Sequence, residues 1–259
     1  MLLTLDIGNS EITAGVFRDQ SLLRQWRISS LPGRTPDEWA VLMESFLTQA
    51  GYDPGSIMAV CLASVAPSIT GGLKSGLAHL TGSEVAELRA DSDVPLTLDV
   101  DEPLAVGADR IANSLGVLDA VHGDAVVIDF GTATTFDCVT ADRRFIGGPI
   151  MPGLRTSADE LTQKASRLPA TELTAPSRVI ARRTDDCIRA GVLYGAADAV
   201  DGMIGRIRGE WPTDVEPVVV ATGGLADILV PFTTSVDRVT QGLTLEGIRV
   251  AAQHFGLTW

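Results

Sequence analysis

Cysteine is scarce in this 259-residue chain: Cys61, Cys138 and Cys187 stand at wide spacings, with no Cys-x-x-Cys pair and no histidine cluster beside them. That pattern excludes a zinc site of the usual ligand spacing, and the thiols read as buried groups in a reducing cytoplasm. Histidine is equally rare. His79, His122 and His254 form no constellation with a cysteine or serine nucleophile, so such chemistry has no support and each reads as structural or exposed. Positive charge is short as well. Twenty lysines and arginines against 33 aspartates and glutamates leave a net charge of -13, which repels nucleic-acid backbones and anionic membranes. No apolar run approaches the roughly 18 residues of a membrane span. The opening Met1-Leu2-Leu3-Thr4-Leu5-Asp6 has no basic segment and does not read as a signal peptide. These absences point to a soluble, cytoplasmic protein that binds neither nucleic acid nor membrane.

What is present is a core-forming composition: 45% hydrophobic and 20% charged residues, with a mean hydropathy of +0.21. The length suits one large domain or two compact ones. The acidity sets a condition on any nucleotide site. Phosphates would need backbone N–H groups, a helix N-terminus or bound cations to neutralise them, so an acidic ATP enzyme implies a metal.

The chain opens with an apolar run, Leu2 to Leu5, that ends at Asp6-Ile7-Gly8-Asn9-Ser10 and is followed by a second strand-like run from Ile12 to Phe17. Thr35 as N-cap, Pro36 and Glu38 at the capping-box position predict a helix through about Ala50. A strand over 57–63 ends at Ser64-Val65-Ala66-Pro67, and a helix is expected over 105–121. The opening grammar then returns. Val126-Val127-Ile128 runs into Asp129-Phe130-Gly131-Thr132-Ala133-Thr134-Thr135 and a strand from Phe136 to Thr140, so the chain reads as two related halves, 1–115 and 116–259. Residues 147–154 read as a Gly/Pro-rich loop, 161–168 and 185–208 as helices, 218–220 as a strand and 245–255 as a closing helix. Gly191, Gly195, Gly202 and Gly205 in the long helix are at spacings that permit close packing. Alternating strands and helices give an α/β fold with its ligand loops beyond the strand ends, at 6–13, 107–110, 129–135 and 222–225.

A glycine after a strand-terminal aspartate lets backbone approach a phosphate, while Asn9, Ser10 and Thr13 offer hydrogen bonds. Asp6 itself would reach phosphate only through Mg2+ or water. Either Asp-x-Gly alone reads as readily as a hairpin turn; two copies in register weaken that reading. Thr132, Thr134 and Thr135 supply hydroxyls, although threonine also simply favours strands. Gly107-Ala108-Asp109-Arg110 sets a carboxylate beside a guanidinium, a pair able to deprotonate a hydroxyl and fix an anionic substrate, or an ordinary helix start. Thr222-Gly223-Gly224 offers a flat backbone surface for adenine or ribose, or marks a turn.

In order along nearly the whole chain, these motifs resemble the type III pantothenate kinases. The resemblance rests on Asp6 to Ser10, Trp26-Arg27, Thr35 to Glu38, Ser64 to Pro67, Gly107 to Arg110, Asp129 to Thr134, Gly147 to Gly153, Thr184, Thr222 to Gly224 and Leu243 to Gly247. It implies two actin-like, ribonuclease H-like domains with mixed central sheets, a homodimer, and transfer of the ATP γ-phosphate to pantothenate, giving 4'-phosphopantothenate in the first step of coenzyme A synthesis. It implies Asp109 as general base, with Gly107, Ala108, Arg110, Thr184 and position 100 contacting pantothenate. Asp6, Ile7, Gly8, Asn9, Ser10, Glu11, Ile12 and Thr13 would bind ATP phosphates and Mg2+, with Gly131, Thr132, Gly223 and Gly224 completing the nucleotide site. Asp129 would hold a monovalent cation, K+ or NH4+. The chain departs from the family at Val100, commonly a tyrosine that lines the pantothenate pocket, at Ser10, usually threonine, and at Glu11, usually small or neutral. Two other readings stay open: a nucleotide-binding regulatory accessory protein, against which Asp6, Asp109, Arg110 and Asp129 together argue, and a kinase of another small hydroxy acid, which Val100 permits.

Overall fold

The repeated pattern of apolar run, glycine turn and second run builds two sheets in the computed structural model, which describes residues 1–165 and 167–259. The chain begins with strands β1 (Leu2–Ile7), β2 (Glu11–Arg18) and β3 (Ser21–Ser29), then helix α1 (Pro36–Gln49), β4 (Ala59–Ser64), α2 (Pro67–Thr81), β5 (Val85–Leu88), β6 (Thr97–Leu98) and α3 (Ala108–Ala120). It continues through β7 (Ala125–Phe130), β8 (Ala133–Thr140), β9 (Arg144–Phe145), β10 (Ile150–Pro152), α4 (Leu154–Lys164), α5 (Thr184–Gly209), β11 (Val218–Thr222), α6 (Ala226–Leu229), β12 (Arg238–Val239) and α7 (Leu243–His254). Contacts divide it into two units, one of Met1–Ala120, Arg143–Phe145 and Gly242–Trp259, the other of Val121–Asp142 and Ile146–Gln241.

The first unit's sheet has the order β3-β2-β1-β4-β5, antiparallel from β1 to β3 and parallel from β1 to β5. Its central strands read as nearly continuous apolar runs because both faces are covered. Leu3, Leu5 and Ile7 pack with Trp39 and Met43 of α1 and Leu73 of α2. Leu2, Phe17 and Cys61 on the opposite face meet Ile111 and Leu115 of α3 and Ile248 of α7. Helix α1 has the expected capping box: the Thr35 N–H donates to Glu38 Oε2 at 2.7 Å and the Glu38 N–H to Thr35 Oγ1 at 3.3 Å.

Helices α3 and α7 cross at glycines. A Cβ at Gly116 would lie 2.5 Å from the Leu243 carbonyl oxygen, and one at Gly247 would overlap the Ala112 backbone. Thr244 Oγ1 donates to Asn113 Oδ1 at 2.7 Å beside this crossing. Arg249, only 2% exposed, is held by Asp119 at 2.8 Å, Glu246 at 2.9 Å and Gln253 at 3.0 Å, as a buried guanidinium requires.

The second unit repeats the plan. Its sheet runs β12-β11-β7-β8, with β8 antiparallel to β7 and β11 and β12 parallel to it, so β7 takes the place of β1 and β11 that of β4. Leu193, Ala197, Val200 and Ile204 of α5 cover Val126, Ile128 and Phe130 of β7. Asp124 closes the lower end. Its carboxylate accepts from Ala141 N–H at 2.7 Å, Trp211 Nε1 at 2.8 Å and Thr213 Oγ1 at 2.6 Å. Burial alone would raise its pKa, but these donors outweigh it and hold the group below the usual range.

Several expectations need correcting. Residues 150–152 of the supposed loop form β10, paired antiparallel with β8; an edge strand tolerates the flanking prolines. The helix expected over 161–168 begins at Leu154 and ends at Lys164, and residue 166 lies outside the described residues. Cys61 and Cys138 are buried, the Cys61 thiol being pushed up to about 12 by burial, but Cys187 is exposed. The three histidines are all exposed, one of the two readings the sequence allowed. Among the described residues no helix is long and apolar enough to cross a membrane.

Candidate active site

The two hairpins carry their aspartates at matching places. Asp6 pairs in register with Thr13 of β2 and Ala63 of β4; Asp129 pairs with Thr135 of β8 and Thr222 of β11. Each is followed two residues later by a turn glycine. The Gly8 N–H donates to the Glu11 carbonyl at 3.0 Å and the Gly131 N–H to the Ala133 carbonyl at 3.0 Å, so the first loop is one residue longer.

In the first loop Asn9 and Ser10 are exposed, while Ser30, at the end of β3, fixes the turn by donating from its hydroxyl to the Gly8 carbonyl at 2.6 Å and from its N–H to the Ser10 carbonyl at 3.1 Å. Ile7 and Ile12 are fully buried against the α1 and α2 side. Their part in a nucleotide site is limited to their backbone. The unusual Glu11 reaches Arg27 on β3, Oε1 lying 2.5 Å from Nε, so its charge is met by a cation.

Strand alternation puts Asp6 on the face of the sheet covered by α3, the helix that carries Asp109 in its first turn. The Val65 N–H donates to the Ile7 carbonyl at 3.0 Å, and the Val65 side chain also reaches Gly107, 3.5 Å from a Cβ built there. The ends of β1 and β4 thus meet the start of α3. A side chain at Gly107 would collide with the Asp109 carboxylate, which explains the glycine. Asp109 is half-buried, and its Oδ1 accepts the Arg110 N–H at 2.8 Å. Burial pushes its pKa up, only partly offset by that N–H and by the Arg110 guanidinium. Arg110 lies over the Phe145 ring, 5.1 Å from its centre. Val100, half-buried, directly follows the β6–β9 pairing, where the Asp99 N–H donates to the Phe145 carbonyl at 2.9 Å.

In the second unit Thr132 is exposed and its carbonyl is clamped by the Gly153 N–H at 3.1 Å and Thr156 Oγ1 at 2.6 Å, which orients the loop from the start of α4. Gly223 has φ +90° and lies so close to Asp129 and Phe130 that no side chain fits. Gly224 is exposed beside it, and Thr184 is the exposed first residue of α5. The structure therefore groups Asp6 to Thr13, Val100 and Gly107 to Arg110 in one unit, and Asp129, Gly131, Thr132, Thr184, Gly223 and Gly224 in the other.

Sequence reasoning missed Ser30 and Phe145. Neither belongs to a motif, and each acts through a partner more than 20 positions away in sequence. Among the described residues no group of three acidic, cysteine or histidine side chains forms a metal cage. Single strand-end carboxylates fit a hard cation that takes its other ligands from phosphate and water.

A family model described as type III pantothenate kinase matches residues 2–206. The type III pantothenate kinase of Geotalea daltonii is 38% identical over 254 residues, 98% of each chain. In fold the chain is similar to a ROK hexokinase from Thermus thermophilus (TM-score 0.53, 17% identity, 98% of each chain). It is likewise similar to MreB 5 of Spiroplasma citri (TM-score 0.55, 10% identity, 98% of this chain and 96% of that one).

Proposed function

The chain belongs to the type III pantothenate kinase family and phosphorylates pantothenate in coenzyme A biosynthesis, and from that premise we infer that Asp109 is the base that receives the proton of the attacking hydroxyl. The observation that carries this role is the half-buried carboxylate at the start of α3, its proton affinity raised by burial. A carboxylate of ordinary pKa is a weak base, and raising it improves the match to a hydroxyl proton in flight. The pantothenate oxygen attacks the γ-phosphorus of ATP, the bond to the β-phosphate oxygen breaks, ADP leaves, and the proton passes to Asp109.

Arg110 is the anchor for the substrate carboxylate, since a guanidinium binds carboxylates as a fork and the Phe145 ring limits its motion. Gly107, Ala108, Val100 and Thr184 complete the substrate contacts. The residues 6–13, with Gly131 and Thr132, hold the ATP phosphates through backbone and hydroxyl donors, and Gly223 and Gly224 take the adenosine. Asp6 would hold Mg2+ and Asp129 a monovalent cation, K+ or NH4+; cations there supply charge neutralisation of the phosphates, which is most of what phosphoryl transfer needs from its surroundings. What supports these placements is the matched position of the two aspartates and the acidity of the chain.

The test is transfer by the purified protein with ATP, Mg2+ and K+. One ADP per 4'-phosphopantothenate is expected, with the rate falling when either cation is withdrawn. ADP release that ignores pantothenate, or preference for another hydroxy acid, would overturn the assignment.

We place the protein in the cytoplasm as a homodimer. Family membership supports the dimer, and so does α5: Gly191, Gly195, Gly202 and Gly205 share the face opposite its buried residues, with nothing within 4 Å of a Cβ built at any of them. These glycines do not serve packing inside the chain. Gly195→Leu should leave the fold intact, adding about 0.8–1 kcal/mol of helix propensity, yet convert a dimer to a monomer by light scattering. A dimer of unchanged mass and stability would remove α5 from the interface.

A further inference from the structure

The loop leading into α5 collects positive charge that the transfer reaction described above does not use. Between residues 178 and 189 this acidic chain carries four arginines, Arg178, Arg182, Arg183 and Arg189, against Asp185 and Asp186. Both aspartates are already matched. Arg189 reaches Asp185 at 3.0 Å and Asp186 at 3.6 Å, and Arg183 Nε meets Asp185 at 3.2 Å. Arg178 and Arg182 make no hydrogen bond or ion pair among the described residues. Both line a cavity of about 310 Å3 together with Ser177, Arg183 and Asp186.

The cavity wall is pinned. Tyr194 donates from its hydroxyl to the Pro176 carbonyl at 3.0 Å, and Arg189 Nη1 to Thr174 Oγ1 at 3.3 Å, so the start of the approach segment is tied to α5. The same helix, 26 residues long, starts at Thr184, and no side-chain cap from Arg183 covers that start, although the Asp185 carboxylate takes the Asp186 N–H. Two guanidinium forks with no partner among the described residues, a hydroxyl and a helix start match a tetrahedral oxyanion, and the volume is at the small end of ligand pockets.

We propose that Arg178 and Arg182, with the first turn of α5, form a second anion site that takes the phosphate group of a small molecule. It uses none of the residues assigned to ATP or its cations, and only its consequence for the substrate side rests on the kinase reading of Thr184. Thr184, the assigned substrate contact, opens the helix that the anion would engage, so occupancy here is a means by which a phosphate-bearing compound acts on the substrate side of the enzyme.

Hydrogen–deuterium exchange on the whole protein tests it, comparing inorganic phosphate, pyrophosphate and 5'-AMP with chloride at equal ionic strength. Wild type should show several-fold slower exchange in peptides spanning 176–187 with low-millimolar phosphate. R178Q/R182Q should lose that protection, and R178K/R182K, which keeps charge without the fork, should retain part of it. Protection by 5'-AMP or pyrophosphate but not by inorganic phosphate would also support the site and identify its ligand as an ester or anhydride. ATP protection of residues 6–13 in every variant reports that the fold is intact. Absence of protection at 176–187 by all three anions in wild type, or equal protection in R178Q/R182Q, would overturn the proposal.

Discussion

Asp109→Asn should lower kcat by about 10²–10⁴-fold, the range spanned by a positioned general base, with little change in the KM for ATP. Asparagine keeps the shape and the hydrogen bond to the Arg110 N–H but cannot take a proton. Two further readouts separate catalysis from structure. Burial raises the Asp109 pKa, so the ionised form is the disfavoured one in the folded protein. Its ionisation therefore costs stability above the folded pKa, and that cost disappears as pH falls through it. At neutral pH the asparagine variant should then melt no lower than wild type. In kcat/KM, the acidic limb of wild type should lie above the ordinary carboxylate range, because activity needs the deprotonated group, and the residual rate of the variant should lack that limb. A variant that melts lower and keeps the same acidic limb would show that Asp109 is structural and that another group is the base.

Gly247→Ala should be the most damaging single substitution far from the substrate. The new Cβ would overlap the carbonyl group of Ala112, and those are backbone atoms of a buried helix that cannot rotate aside. The helices must separate, breaking the Thr244–Asn113 bond and the packing of Leu245 and Ile248. Overpacking alone costs about 1–3 kcal/mol, and loss of the crossing adds to it. Against a typical total of about 5–15 kcal/mol that is a large share of the stability, so the unfolding midpoint should fall well below that of wild type. Soluble yield and urea unfolding measure this. Whatever folds should have a low kcat with no substrate-contacting residue changed, since α3 carries Asp109. A variant with the wild-type midpoint would mean the crossing yields more easily than its geometry suggests.

The sequence was most legible where local chemistry is self-sufficient. The Thr35–Glu38 capping box, the two Asp-x-Gly hairpins and the fully buried runs of β1, β4 and β7 declare themselves within a few residues. Strand β3 did not. It lies at a sheet edge and exposes most of its side chains, so neither alternation nor a buried run marks it. Helix α2 was hidden by Gly71, Gly72 and Gly76, which lower helix propensity. In the site, motif residues were found by their spacing, whereas Ser30 and Phe145 act across the fold on Gly8 and Arg110 and leave no local trace. The closing Leu243-Thr244-Leu245-Glu246-Gly247 was visible as a motif, but its reason, the close crossing with α3, exists only in three dimensions.

That crossing also bears on how the protein is made. The first unit contains residues 1–120 and yet takes its last helix from 242–259, so synthesis from the N-terminus delivers β1, α3 and Asp109 long before their cover. Until residues 242–259 have left the ribosome, the α3 surface around Ala112 and Leu115 has no helix to bury it. The unit begun first is therefore finished only after the second, and a chain cut before residue 242 cannot assemble a complete unit around Asp109.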